Sequence, residues 1–169
     1  MTPYLYTAIL AAIVIAQSTL MPAAALGQTK PFLPLIAVVC WALFRGPVPG
    51  AWWAVAAGLM LDAVSPAPMG FYTLPLLAAV LVVSMGRGRF FATNMLIPWL
   101  LVAVATAAFI VAQRSLIPLA GGELDWDAAV ITREILPEAA LNLLWLPVLY
   151  LPLRALARSV AGPRIEWET

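Results

Sequence analysis

Five polar side chains interrupt the long apolar runs of this chain: Gln17, Asp62, Gln113, Glu138 and Asn142. Such groups are costly in lipid unless they are hydrated, paired or put to use. Glu138 and Asn142 stand four residues apart, so a helix puts their carboxylate and amide on one face. Internal hydrogen bonding and an interior binding face are both open to that pair. Gln17 reads as glue between helices in preference to a ligand contact. Asp62 stands inside Gly58-Leu59-Met60-Leu61-Asp62, which runs on through Ser65, Pro66 and Pro68 to Gly70. Its two readings are a water-facing cap on a turn and a buried partner for a donor on another helix or another protein. Asp62 and Glu138 both fall near the outer ends of their predicted helices. Their convergence would make a proton or cation site.

Other chemistry is hard to find in the sequence. The chain has no His and a single Cys, Cys40, inside an apolar run. That excludes an intrachain disulfide and a Cys/His zinc site within one chain. Cys40 reads as a small packing residue. No Gly-rich phosphate loop and no nucleophile elbow is present, so no catalytic residue, cofactor or metal ligand is predicted and the chain does not read as an enzyme. Gly122-Glu123-Leu124-Asp125-Trp126-Asp127 alternates acids but lacks the turn glycine and distal glutamate of a calcium loop. It reads as a solvated outer loop, with Asp125 or Asp127 capping the next helix. A net charge of +1 gives no electrostatic case for nucleic acid.

The elements that must hold these residues are membrane helices. Apolar residues make up 64% of the 169 and charged residues 10%, where a soluble domain carries about a quarter charged. A hydrocarbon core of about 30 Å needs roughly 20 helical residues. The predicted fold is all-α, a polytopic bundle of six transmembrane helices forming one domain over residues 1–161. Its spans cover residues 5–26, 31–46, 48–64, 71–86, 95–114 and 135–153, and residues 162–169 form a short cytoplasmic tail. The second and third spans are short, and a re-entrant hairpin is the alternative for them. The N-terminus lacks the basic region of a cleavable signal, so the first span is expected to be retained.

With the N-terminus inside, six of the nine basic residues fall inside: Arg45, Arg87, Arg89, Arg154, Arg158 and Arg164. Lys30, Arg114 and Arg133 fall outside. This bias places both termini in the cytoplasm. Arg87-Gly88-Arg89 is expected to touch lipid headgroups. Tyr4, Tyr6, Trp41, Trp52, Trp53, Trp99 and Tyr150 are expected near the inner interface, and Phe71, Tyr72 and Trp126 near the outer one. Trp145 reads as packing.

Gly50, Ala54 and Gly58 recur every four residues, as do Ala8, Ala12 and Ala16, and then Ala103 and Ala107. Small residues at this spacing let two helix backbones approach closely. Internal packing and a seat for a partner's helix are both open to each row. Pro75 and Pro147 are expected to remove donors within their helices and favour kinks, whereas Pro98 falls in a first turn.

Gly58-Leu59-Met60-Leu61-Asp62 with Ser65-Pro66 and Gly70 resembles the signature of the rod shape-determining MreD family. The order around it is similar too: Ala16-Gln17-Ser18-Thr19-Leu20, then Lys30-Pro31, then Trp41-Ala42-Leu43, then Gly50. Near the end stand Ala140-Leu141-Asn142-Leu143-Leu144-Trp145-Leu146-Pro147 and Leu153-Arg154. The resemblance covers about the whole chain. Phe32 departs from it, since the family often has a polar residue just after the proline that opens the second helix.

The resemblance implies a non-enzymatic scaffold of the bacterial elongation complex in the inner membrane. It would bind MreC and help couple MreB filaments to peptidoglycan synthesis by RodA and its class B penicillin-binding transpeptidase, and so regulate cell shape. It also implies a fold similar to the substrate-binding subunits of energy-coupling-factor transporters. Gln17, Gly58, Asp62, Pro66, Gly70, Glu138 and Asn142 are the candidate partner-binding or structural positions. Membrane lipids and a second copy of the chain are further expected partners. The alternative function is a small-molecule-binding membrane subunit of an energy-coupling-factor-type vitamin transporter, and a lipid-handling role is a weaker third.

Overall fold

A computed structural model describes residues 2–19, 29–90, 96–122 and 129–160. Among these residues the fold is all-helical. The helices are α1 (Thr2–Thr19), α2 (Leu33–Arg45), α3 (Pro47–Val64), α4 (Thr73–Phe90), α5 (Ile97–Leu116) and α6 (Leu136–Val160). A 3₁₀ turn (Ile117–Ala120) extends α5, and a π-helical turn (Ile131–Ile135) leads into α6. Asp125, Asp127, the Arg87 and Arg89 side chains and the C-terminal tail, all singled out above, lie outside the described residues or side chains.

The organising element is α2. Every residue from Leu33 to Leu43 is buried. A helix apolar on all sides is stable only when protein surrounds it. The other five helices all pack against α2. Around it the order is α1, α3, α4, α5, α6, each packed on the next in the series. The 13 residues of α2 span about 20 Å at 1.5 Å per residue, less than a hydrocarbon core of about 30 Å. Because protein encloses it, its ends meet protein groups where a lipid-exposed end would be left without partners.

Gly46 alone joins α2 to α3. Its φ of 109° lies where glycine is favoured, and Pro47 opens α3 at a position that needs no donor. Pro75 is the third residue of α4. It therefore sits in the first turn, where a missing N–H removes no bond within the helix, and the expected mid-helix loss does not arise. Pro147 does lie inside α6, and Pro152 joins it there. Pro98 is the second residue of α5.

Among the described residues, three helices are long and apolar enough to cross a membrane: Pro47–Val64, Ile97–Leu119 and Ile131–Ser159. Thr7–Thr19, Leu33–Arg45 and Thr73–Met85 are shorter apolar helices. Two of the aromatics expected near the inner interface belong to the core. Trp41 and Trp53 are buried and stack across α2 and α3 with ring centroids 4.3 Å apart. Trp52, next to Trp53, is 70% exposed. Cys40 is fully buried.

Candidate functional site

The corner between α3 and α4 is built around Asp62. Its carboxylate is buried at 4% exposure. Oδ1 accepts the Tyr72 backbone N–H at 2.8 Å. Oδ2 accepts the Gly70 N–H at 2.9 Å, the Thr73 hydroxyl at 2.6 Å and the Thr73 N–H at 3.4 Å. These donors lie in and just before the first turn of α4, where a helix lacks internal acceptors and its dipole favours negative charge. Asp62 is thus a cap, but a buried one, and not the water-facing cap that was one of its two readings.

Gly58 and Gly70 complete the corner for different reasons. A β-carbon on Gly58 would stand 2.6 Å from the Thr73 hydroxyl oxygen and overlap Thr73 Cα. The need there is space. Gly70 has room for a β-carbon, but its φ is +95°, a conformation side-chain-bearing residues rarely adopt. Gly70 bends the chain so that its own N–H and that of Tyr72 both reach Asp62. Pro66 and Pro68 are exposed on the turn, beside Val64 at 70% and Met69 at 76% exposure.

A second buried network caps α2. Gln17 of α1 accepts the Leu33 N–H at 2.9 Å and donates to the Pro31 carbonyl at 3.2 Å. Asn142 of α6 accepts the Phe32 N–H at 2.8 Å and donates to the Thr106 hydroxyl at 3.0 Å. Thr106 of α5 donates in turn to the Val102 carbonyl at 2.9 Å. Side chains from two helices thereby satisfy the start of the central one, and Thr106 of a third holds Asn142 in place. Phe32, at the position that departs from the resemblance, offers no side-chain cap. Its ring packs on Phe109 with centroids 4.8 Å apart.

Glu138 shares a face with Asn142 but does different work. It lines a cavity of about 730 Å³ at the same end of the molecule. The floor is apolar, with Val14, Phe32, Leu61, Phe109 and Ile110, and the rim carries Lys30, Gln113, Arg114, Arg133 and Glu134. Arg114 and Glu134 form an ion pair that ties α5 to the π-helical turn, with Arg114 Nε donating to Glu134 Oε2 at 2.8 Å. Asp62 is not in this wall. The described residues therefore do not bring Asp62 and Glu138 together as a proton or cation site, and they hold no metal-ligating cluster.

The sequence did not single out Thr73 or Thr106 and did not mark Lys30, Arg114 or Arg133 as site residues. Thr106 carried a weak signal, as a hydroxyl in an otherwise apolar stretch of α5. A family model described as rod shape-determining protein MreD matches residues 2–160. No curated protein and no solved structure matches the chain.

Proposed function

The chain belongs to the rod shape-determining MreD family, and from that membership we propose that it is a non-enzymatic membrane scaffold that binds MreC. The family places it in the system that determines rod shape, and its long apolar helices suit a membrane protein. The observation that carries the proposal is a family match spanning nearly the whole chain. In this reading the protein crosses the inner membrane six times with both termini in the cytoplasm. MreC docks on the outer side, and the complex couples MreB filaments to RodA and its class B penicillin-binding transpeptidase.

The docking surface is the α3–α4 shoulder. Asp62, Gly58 and Gly70 are spent on holding that corner, so they set its shape and do not touch a partner. Val64, Pro66 and Met69 are what it presents outward. Apolar side chains exposed on a rigid, capped turn favour docking, since little order is lost on binding.

Co-purification with MreC in mild detergent tests the proposal. Met69→Glu is expected to weaken recovery of MreC without lowering the protein's own melting temperature. Asp62→Ala is expected to lower both. Undiminished recovery of MreC with Met69→Glu would count against this surface.

A further inference from the structure

The outer end of the molecule holds two populations of polar side chains. Gln17, Asp62, Thr73, Thr106 and Asn142 are buried and bonded to the fold. The side chains of Lys30, Gln113, Arg133 and Glu138 face the cavity, and none is within hydrogen-bond or ion-pair distance of a described residue, although the Lys30 charge reaches Glu138. The first group builds the protein. The second is left to something that enters the cavity.

The way in is also visible. α1 packs on α2 and α3, and α6 packs on α2 and α5, but no comparable contact joins α1 to α6. Among the described residues, the ring around α2 is open along that seam. Ser18 of α1 and Glu138 of α6 both line the cavity, one from each side of the gap. In a bilayer such a gap faces lipid.

We propose that this cavity holds the headgroup of a phospholipid bearing a primary amine. Its phosphate meets Lys30 and Arg133, its ammonium donates to the Glu138 carboxylate and the Gln113 amide oxygen, and its acyl chains leave between α1 and α6. Charge and donor arithmetic select this class. A simple anion would satisfy the two cations but bring negative charge against Glu138. A choline headgroup has no N–H to offer, whereas a carboxylate only accepts hydrogen bonds. A volume of about 730 Å³ falls in the usual range for small-ligand sites. The aromatic floor of Phe32 and Phe109 suits the glycerol and first methylenes. The inference stands whether or not MreC docks on the α3–α4 shoulder.

Native mass spectrometry of the full chain, released from micelles doped with equal phosphatidylethanolamine and phosphatidylcholine, tests it. One phosphatidylethanolamine should stay bound per chain, in preference to phosphatidylcholine. Glu138→Gln should cut that retention roughly tenfold, the loss of one charge-assisted contact, with melting temperature and phosphatidylcholine retention unchanged. Lys30→Gln, on the exposed rim, reads the phosphate end should the first variant fold poorly, and the same drop is expected. Equal retention of both lipids by the unaltered protein, or undiminished retention by both variants, would overturn the proposal. So would a soluble small molecule or a peptide found in the cavity in place of lipid.

Discussion

Asp62 has one carboxylate and four donors aimed at it. Removing the acceptor leaves buried N–H groups without partners, which costs more than a hydrogen bond contributes. Asp62→Ala is expected to destabilise the protein by about 2–4 kcal/mol, read as a lowered melting temperature in detergent, with Asp62→Asn losing less because its carbonyl still accepts. Asn142 makes a different prediction, because its two bonds belong to one chain of groups. Asn142→Ala and Thr106→Val should each destabilise, and the double variant should lose less than the sum, since neighbours in one network are not additive. Strict additivity would mean that the Asn142–Thr106 bond contributes nothing. The sequence marked Asp62 and Asn142 as polar groups needing partners, and it could go no further. Three of the four Asp62 partners are backbone N–H groups, brought to it by a bend with positive φ at Gly70 that no residue type announces alone, and the fourth is the Thr73 hydroxyl. The Asn142 partner, Phe32 N–H, is 110 residues away, and only the packed bundle brings the two together.

At the scale of helices, three rows of small residues share one spacing and meet different fates. Gly50, Ala54 and Gly58 are buried, while Ala8 and Ala12 of α1 are exposed and Ala103 and Ala107 of α5 are half-buried. Spacing identifies a smooth face but not the direction it points, because in lipid an apolar surface is content on either side. Trp41 and Trp53 show the same limit: an indole suits an interface or a core, and here the two stack with each other inside the bundle. The direction of α3 yields a sharp test. A β-carbon on Gly50 would overlap that of Ala42 and lie 2.7 Å from Ala42 Cα. Gly50→Ala should therefore lower the melting temperature by spreading α2 from α3. Adding Ala42→Gly should recover only part of the loss, because the Ala42 Cα that a glycine keeps still stands 2.7 Å from the new β-carbon and each glycine introduced in a helix costs about 1 kcal/mol. An unchanged melting temperature for Gly50→Ala alone would mean that this approach does not limit the packing.

At the scale of the molecule, the cavity orders the helices. Val14 and Gln17 near the end of α1, Leu61 and Val64 near the end of α3, and Gln113 and Arg114 near the end of α5 share its wall with Phe32, Tyr72 and Glu134, which stand at the beginnings of α2, α4 and α6. The helices therefore alternate in direction, and the start of α1 and the end of α6 lie at the opposite end from the cavity. In the proposed orientation this opposite end faces the cytoplasm and carries Arg45, Arg154 and Arg158. Alternation was legible from the apolar runs. The open seam and the central place of α2 were not, because a short, wholly apolar helix reads the same at the centre of a bundle as at its edge. The single cysteine makes the arrangement testable without background, since Cys40 is fully buried. Met69→Cys and Leu119→Cys, at 76% and 83% exposure in the parent residues, are expected to react with a membrane-impermeant maleimide in intact cells. Ser159→Cys, exposed at the other end, should react only after the membrane is opened. Labelling of Ser159→Cys together with Met69→Cys in intact cells would put the end of α6 and the α3–α4 corner on one side of the bilayer. No arrangement in which the cavity faces outward and the termini face the cytoplasm could accommodate that.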